Sequence, residues 1–155
     1  MIANLKKLFE ANFGGGPAAG ALSRLEPVEL LTAALLVELM RADFNASESE
    51  IAMARRLLAA RFDLDASAVQ ALVDQARVRA DQAVSLHEFT HRLNRELTPD
   101  EKSAVIEMLW RLSFVDERLD KHEEQLIRRV AGLLHVPDRE WLRLREKVRG
   151  ETGPQ

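Results

Sequence analysis

Apolar residues recur every three to four positions along most of the chain, which is the spacing of one face of an α-helix. In the first such segment Val28, Leu31, Leu35 and Leu39 share a face, and Pro27 suits its first turn. The same spacing predicts further helices over the rest of the chain. No alternating strand pattern competes with it, so the sequence predicts an all-α fold, a bundle of about seven helices.

Residues that favour the N-cap position stand at the starts of these segments. We expect Ser47 to cap the second helix, which runs to about Arg61, and Ser67 to cap the third. Ser85 is expected to cap a short fourth helix. The strongest start is the sequence TPDE from Thr98, which combines an N-cap residue, a proline at the first helical position and a glutamate at the third.

The two ends of the chain differ from this helical region. Residues 1–13 are predicted to form an amphipathic arm, and residues 14–24 a flexible linker rich in glycine and alanine. Residues 25–150 then make the helical domain, and residues 151–155 a disordered tail. The arm is expected to dock on its own domain; the alternative is a peripheral contact with a membrane surface or with a partner.

Composition narrows the classes of function. The chain has 155 residues, enough for one compact domain, and a formal net charge of -3, so nothing in it calls for a nucleic-acid partner. Cysteine is absent, which removes disulfides, thiolate metal sites and thiol redox chemistry. No apolar stretch has the length of a membrane span or of a signal peptide. We therefore expect the protein in the cytoplasm, with any membrane contact at the inner face.

One helical hairpin occurs twice. The segment ELMRADFNASESEIAMARRLL and the later segment RLSFVDERLDKHEEQLIRRVA keep the same register without gaps. In both copies a helix ends near an aspartate, Asp43 or Asp116, and seven residues later the next helix carries a glutamate, Glu50 or Glu123. The sequence therefore predicts two duplicated helical hairpins with an acidic pair at each corner.

The glutamates have a structural explanation that the aspartates lack. Ser47 and Asp120 are N-cap residue types, and a glutamate three positions later can complete a capping box. Asp43 and Asp116 instead lie near the C-terminal ends of helices, where the helix dipole disfavours an anion by roughly a few tenths of a kcal/mol. Two interpretations stay open: these aspartates stabilise the turns, or they bind a cation.

With these corners the sequence resembles the TerB-like domains. That family is named for a tellurite-resistance operon protein and also occurs at the N-terminus of a membrane-anchored DnaJ-type co-chaperone. The resemblance rests on the AD and VDERLDKHE segments and covers about residues 25–148. It implies a multi-helix bundle with duplicated hairpins. It also implies that the acidic corners chelate a metal ion, here through Asp43, Glu50, Asp116 and Glu123. The family often has glycine after the aspartate, where this chain has Phe44 and Glu117.

The ligand types restrict the choice of ion. Carboxylates without thiolates suit hard cations such as Ca²⁺, Mg²⁺ or Mn²⁺, and Zn²⁺ is a further candidate. An EF-hand does not fit, because neither corner has the glycine and the glutamate that its loop requires at the sixth and twelfth positions. We therefore expect one of these divalent cations, or no cofactor if the carboxylates only cap helices and turns.

A second metal motif lies in the fourth predicted helix. Residues 87–91 read HEFTH and match the H-E-x-x-H signature of zinc hydrolases, in which two histidines hold zinc and the glutamate activates water. Helical geometry argues against catalysis, because Leu86, Phe89 and Leu93 share the inward face and both histidines point outward. Glu88 also fits a capping box. Binding of zinc or nickel by the histidine pair alone is compatible with this geometry.

Three functions follow from these features. The first, which we predict, is a non-enzymatic, cation-binding interaction module that engages a protein partner and is linked to tellurite, metal or stress resistance. The second is a structural interaction scaffold whose carboxylates only cap helices and turns. The third is a zinc metallohydrolase that uses residues 87–91. The first two require no catalytic residue.

Overall fold

The computed structural model describes residues 27–42, 47–115 and 121–152. These residues form seven α-helices and no strand, which confirms the predicted all-α bundle. The helices are α1 (Val28–Ala42), α2 (Glu48–Phe62), α3 (Ala66–Gln82), α4 (His87–Glu96), α5 (Pro99–Ser113), α6 (Lys121–Leu133) and α7 (Asp138–Thr152). The predicted arm and linker lie outside the described residues, and α7 extends into the segment that was predicted as a tail. None of the described helices is long and apolar enough to cross a membrane.

The helix α1 lies at the centre of the bundle and is in contact with α2, α3, α4, α5 and α6. The sequence predicted one buried face for it, but its side chains are buried on all sides. The buried residues are Leu30, Leu31, Thr32, Ala33, Ala34, Leu35, Leu36, Val37, Leu39 and Met40. A helix that is apolar all round belongs in the interior of a fold. The helix α1 is therefore the central element of the core.

The two predicted hairpins are α1–α2 and α5–α6, and the helices of each hairpin are in contact with each other. Most of both corners, residues 43–46 and 116–120, lies outside the described part of the chain. Two of the predicted helix starts are confirmed. The Ser47 hydroxyl accepts a hydrogen bond from the backbone N–H of Glu50 at 3.1 Å, and Thr98 and Glu101 form a complete capping box.

Two other helix starts differ from the prediction. The N-cap of α3 is Asp65, whose carboxylate accepts a hydrogen bond from the backbone N–H of Ala68 at 2.7 Å, and not Ser67. The helix therefore starts two residues earlier than a cap at Ser67 would place it. At the start of α4 the N-cap position is occupied by Leu86, and no side chain caps the helix there. Ser85 lies just before it and contributes its backbone N–H to Glu88.

Candidate functional site

The structure describes two of the four predicted metal ligands. Glu50 is the third residue of α2 and Glu123 is the third residue of α6, so the two hairpins carry them at equivalent positions. Asp43 and Asp116 lie outside the described residues, as does Asp120, the predicted cap of α6. Within the described ranges, no three histidine, aspartate or glutamate side chains come together as a metal site. A metal site at the corners would therefore need the aspartates as well.

Both glutamates are buried. The exposed fraction is 2% for Glu50 and 4% for Glu123. Glu101 occupies the same third position of α5 and completes a capping box, yet its side chain is 42% exposed. Capping therefore does not require burial of the glutamate. Removing an ionised carboxylate from water costs on the order of several kcal/mol unless charges or hydrogen bonds compensate. Both glutamates take part in a hydrogen bond or an electrostatic interaction, which offsets part of this cost.

The capping box predicted for Glu50 is only half formed. The Ser47 hydroxyl accepts the hydrogen bond from the Glu50 backbone N–H. The reciprocal bond, from the Ser47 backbone N–H to the Glu50 carboxylate, is not formed between these two described residues, whereas its equivalent between Thr98 and Glu101 measures 2.9 Å. Helix capping therefore accounts for Ser47 but not for the carboxylate of Glu50.

The end of α1 and the start of α6 lie on either side of one pocket of about 410 Å³. Among its lining residues, Ala42 directly precedes Asp43 in the sequence, and His122 directly precedes Glu123. The fold therefore places the end of α1, just before the first corner, beside the first turn of α6. This proximity across the two repeats could not be read from the repeat alone.

A second pocket, of about 280 Å³, continues along α6 and shares Leu126 and Arg129 with the first. We call the two together the α6 groove. Its described lining is Glu38, Arg41, Ala42, Ala83, Val84, Ser85, Leu86, Phe89, His122, Gln125, Leu126 and Arg129. Val84 is a large apolar side chain that is 94% exposed. The groove therefore combines apolar and basic side chains.

The two arginines of the groove differ in their ion pairs. Arg41 forms ion pairs with Asp81 and, at 3.7 Å, with Glu38. Burial raises the pKa of the Glu38 carboxyl, and the charge of Asp81 adds to the rise, while Arg41 opposes it. No acidic side chain among the described residues lies within ion-pair distance of Arg129. Arg129 therefore forms no ion pair within the described part of the chain.

The sequence model of one protein family, described as tellurite resistance protein TerB, matches residues 29–146 of the chain. These residues include both hairpins and their corners. The chain belongs to the TerB family. No curated protein and no solved structure matches it. The predicted resemblance is therefore confirmed, and the chain is a tellurite-resistance-related domain. The match excludes the predicted arm and the whole of the predicted linker.

The HEFTH segment of this TerB domain lies on α4 as predicted, with Leu86, Phe89 and Leu93 buried and both histidines exposed. Glu88 points back to the chain before the helix. Its carboxylate accepts hydrogen bonds from the backbone N–H groups of Val84 at 2.6 Å and Ser85 at 3.1 Å. These two bonds lower the pKa of Glu88, and Arg79 lowers it further. A carboxylate held in this way acts as a cap for the turn before α4.

Three functional features had no assignment from the sequence. The groove depends on contacts between α1 and α6 that are distant in the chain. Arg129 belongs to an arginine pair that both repeats contain, at residues 55–56 and 128–129, and this repetition was its only signal. The burial of Glu50 carried no signal at all, because its spacing from Ser47 was explained equally well by a capping box.

Proposed function

We propose that this TerB domain is a cation-binding interaction module without catalytic activity, which acts in tellurite, metal or stress resistance. Its ligands are Asp43 and Glu50 at the first corner and Asp116 and Glu123 at the second. The observation that carries the proposal is the burial of Glu50 and Glu123 at equivalent positions of the two hairpins. We expect it to act in the cytoplasm, at the inner face of the membrane if residues 1–13 bind lipid, and without nucleic acid.

The chemistry of these ligands selects the ion. Carboxylate oxygens prefer hard cations, so Ca²⁺, Mg²⁺ and Mn²⁺ come before Zn²⁺. A divalent cation offsets the cost of burying the glutamates, because its charge replaces the hydration that the carboxylates lose. It also gives the corner aspartates a partner that the end of a helix does not supply.

The α6 groove offers a route from the cation to a protein partner. Two of its lining residues, Ala42 and His122, adjoin candidate ligands of the two corners. A cation that fixes the corners also fixes the separation of α1 and α6 at one end of the groove. The partner that suits the groove presents an acidic side chain to Arg129 and an apolar one to Leu126 or Val84, since these groups line it.

A structural scaffold is the alternative. It is favoured by Ser47, whose hydroxyl caps α2 and so gives the first corner a purely structural role. In that case the buried glutamates would satisfy the turn amides of the corners, and the family's link to tellurite resistance would work through protein contacts alone. A zinc hydrolase has less support, because the carboxylate of Glu88 is held by the backbone of residues 84 and 85.

Thermal unfolding of the metal-stripped chain separates the two proposals. We expect Ca²⁺, Mg²⁺ or Mn²⁺ to stabilise the wild type in a saturable way, by about 2.7 kcal/mol at a hundred times the dissociation constant. The rise should disappear in the double variant Asp43→Asn, Asp116→Asn and in Glu50→Gln. The matched control is Glu101→Gln, which changes a glutamate at the same helical position but away from the corners. A flat response of the wild type to every cation would leave the scaffold.

Amide hydrogen exchange tests the coupling to the groove. Saturation with the stabilising cation should slow exchange at the starts of α2 and α6 and at the end of α1. Exchange in the last turn of α2 should not change, since the full length of that helix separates this turn from the first corner and α2 does not line the groove. Protection confined to the corners would show that the cation is bound without any effect on the groove.

A further inference from the structure

Two histidines on α4 take no part in the corner site. His87 is the first residue of the helix, and His91 follows one turn later. Both side chains are exposed, and the imidazole rings are stacked, with their centroids 5.4 Å apart and their planes 21° from parallel. Apart from this contact, neither imidazole forms a hydrogen bond or an ion pair with another described residue. Within the described part of the chain, a ligand bound by the imidazoles would therefore disturb only this ring contact.

The separation of the rings is that of a metal chelate. A zinc ion lies about 2.0–2.1 Å from each histidine nitrogen, and tetrahedral geometry then places the centroids of the two rings roughly 5 Å apart. The observed separation of 5.4 Å is close to that value. The planes are close to parallel, so the rings must rotate about their side-chain bonds before one nitrogen of each points at a common ion.

We propose that His87 and His91 form a second metal site, a two-histidine chelate for a borderline divalent ion such as Zn²⁺, Ni²⁺ or Cu²⁺. Imidazole nitrogen favours these ions, whereas the corner carboxylates favour Ca²⁺, Mg²⁺ and Mn²⁺. Water fills the remaining coordination positions, because the described residues add no third ligand to the pair. The two sites therefore differ in ligand chemistry and in the ions that they select.

The site binds metal without hydrolysing substrate. In a zinc hydrolase with this motif the glutamate between the histidines activates the metal-bound water. Here the carboxylate of Glu88 accepts hydrogen bonds from the backbone N–H groups of Val84 and Ser85 and forms an ion pair with Arg79, so it is not directed at a metal-bound water. The structural effect of the metal is on α4 itself. This helix has ten residues and no side-chain N-cap, so a link between its first two turns stabilises its N-terminal end.

Calorimetric titration of the full chain with Ni²⁺, and separately with Zn²⁺, tests the site. We expect His87→Ala and His91→Ala each to weaken binding at least tenfold, since loss of even an outer-shell partner of a metal ligand costs about 10–100-fold. His135→Asn is the matched control, because it removes an exposed histidine elsewhere. Asparagine tolerates the positive φ of 60° at that position. This control should bind as tightly as the wild type.

A spacing variant asks whether the pair acts as a chelate. His91→Ala combined with Arg95→His keeps two histidines on exposed positions of α4 but separates them by eight residues, a rise of about 12 Å. Two such imidazoles cannot share an ion, so binding should be lost as in His91→Ala. Binding equal to the wild type in this variant, or no binding in the wild type, would overturn the proposal.

The corner site is tested in the same titration. Ni²⁺ binding should survive in the double variant Asp43→Asn, Asp116→Asn, because those residues are not ligands of the histidine site. If instead binding fails in that variant and survives in His87→Ala, the ion belongs to the corners and the histidine site does not exist. The outcome for the pair is thus independent of whether the corners respond to hard cations.

Discussion

The indole nitrogen of Trp110 donates a hydrogen bond of 2.9 Å to the backbone carbonyl of Trp141. The two rings are stacked with their centroids 6.1 Å apart, and both residues are buried. Trp141 in turn donates its indole N–H to the carboxylate of Asp138 at 2.9 Å. The pair joins α5, the first helix of the second hairpin, to α7. It therefore stabilises the two helices, α5 and α7, against which α6 packs.

Replacement of Trp110 should be costly. Trp110→Phe removes a buried hydrogen bond and leaves a void, so we expect the free energy of unfolding to fall by about 2–4 kcal/mol. Trp141→Phe is the comparison, because it also leaves a void but loses a hydrogen bond to Asp138, which is exposed and can bind water instead. Its loss should be smaller. Urea denaturation followed by far-ultraviolet circular dichroism measures both, and an equal or smaller loss in Trp110→Phe would contradict this account.

The cap of α3 offers a second test. Asp65→Ala removes the acceptor for the backbone N–H of Ala68, so the free energy of unfolding should fall by about 1 kcal/mol. Ser67→Ala should change it by a few tenths of a kcal/mol at most, because that side chain is exposed and caps no helix. Urea denaturation of the two variants decides between them. A larger effect at Ser67 would mean that the helix starts where the sequence alone indicated.

The error at Ser67 shows the limit of local reasoning about helix starts. Aspartate and serine are equally good caps, and the two lie two positions apart. What decides between them is the preceding turn, in which Asp63 adopts a positive φ of 54° and Leu64 is buried. Burial of Leu64 depends on the rest of the bundle. The spacing of apolar residues predicted every helix in the described residues, but it could not locate this start.

The same distinction applies to the core and to the candidate site. The face predicted for α1 is buried, but the sequence could not indicate that five helices surround α1. The repeat predicted that Glu50 and Glu123 are equivalent, and their positions in α2 and α6 agree with this. Their burial depends on packing against other helices. The groove beside Arg129 likewise exists only because the end of α1 meets α6.

The role of Glu88 gives a third prediction. Glu88→Ala leaves the backbone N–H groups of Val84 and Ser85 without their acceptor, so the free energy of unfolding should fall by about 1 kcal/mol. Glu88→Gln keeps one acceptor oxygen and should lose less. A catalytic base would behave in the opposite way, with zinc-dependent peptide hydrolysis abolished by Glu88→Gln and stability unchanged. Urea denaturation and a peptidase assay of the zinc-loaded chain measure the two properties.

Glu140 should make the stability of the bundle sensitive to acid. Its carboxylate accepts two hydrogen bonds from Arg143, at 2.8 and 3.0 Å, and one from the hydroxyl of Ser103 at 2.9 Å. Arg143 first and Ser103 second lower the pKa of Glu140 from 4.5 to about 2. The ionised carboxylate therefore favours the folded state above the unfolded pKa. Its contribution is lost as the pH falls from about 4.5 towards about 2, because both states then bind the proton.

Glu140→Gln should remove this contribution and make the loss of stability between about pH 5 and about pH 2 less steep than in the wild type. Arg143→Gln should reproduce part of the effect, since it removes the largest cause of the lowered pKa and leaves the bond from Ser103 in place. Urea denaturation at a series of pH values gives the slopes. Because the bond to Ser103 joins α7 to α5, parallel curves for wild type and Glu140→Gln would mean that this carboxylate does not link the two helices in solution.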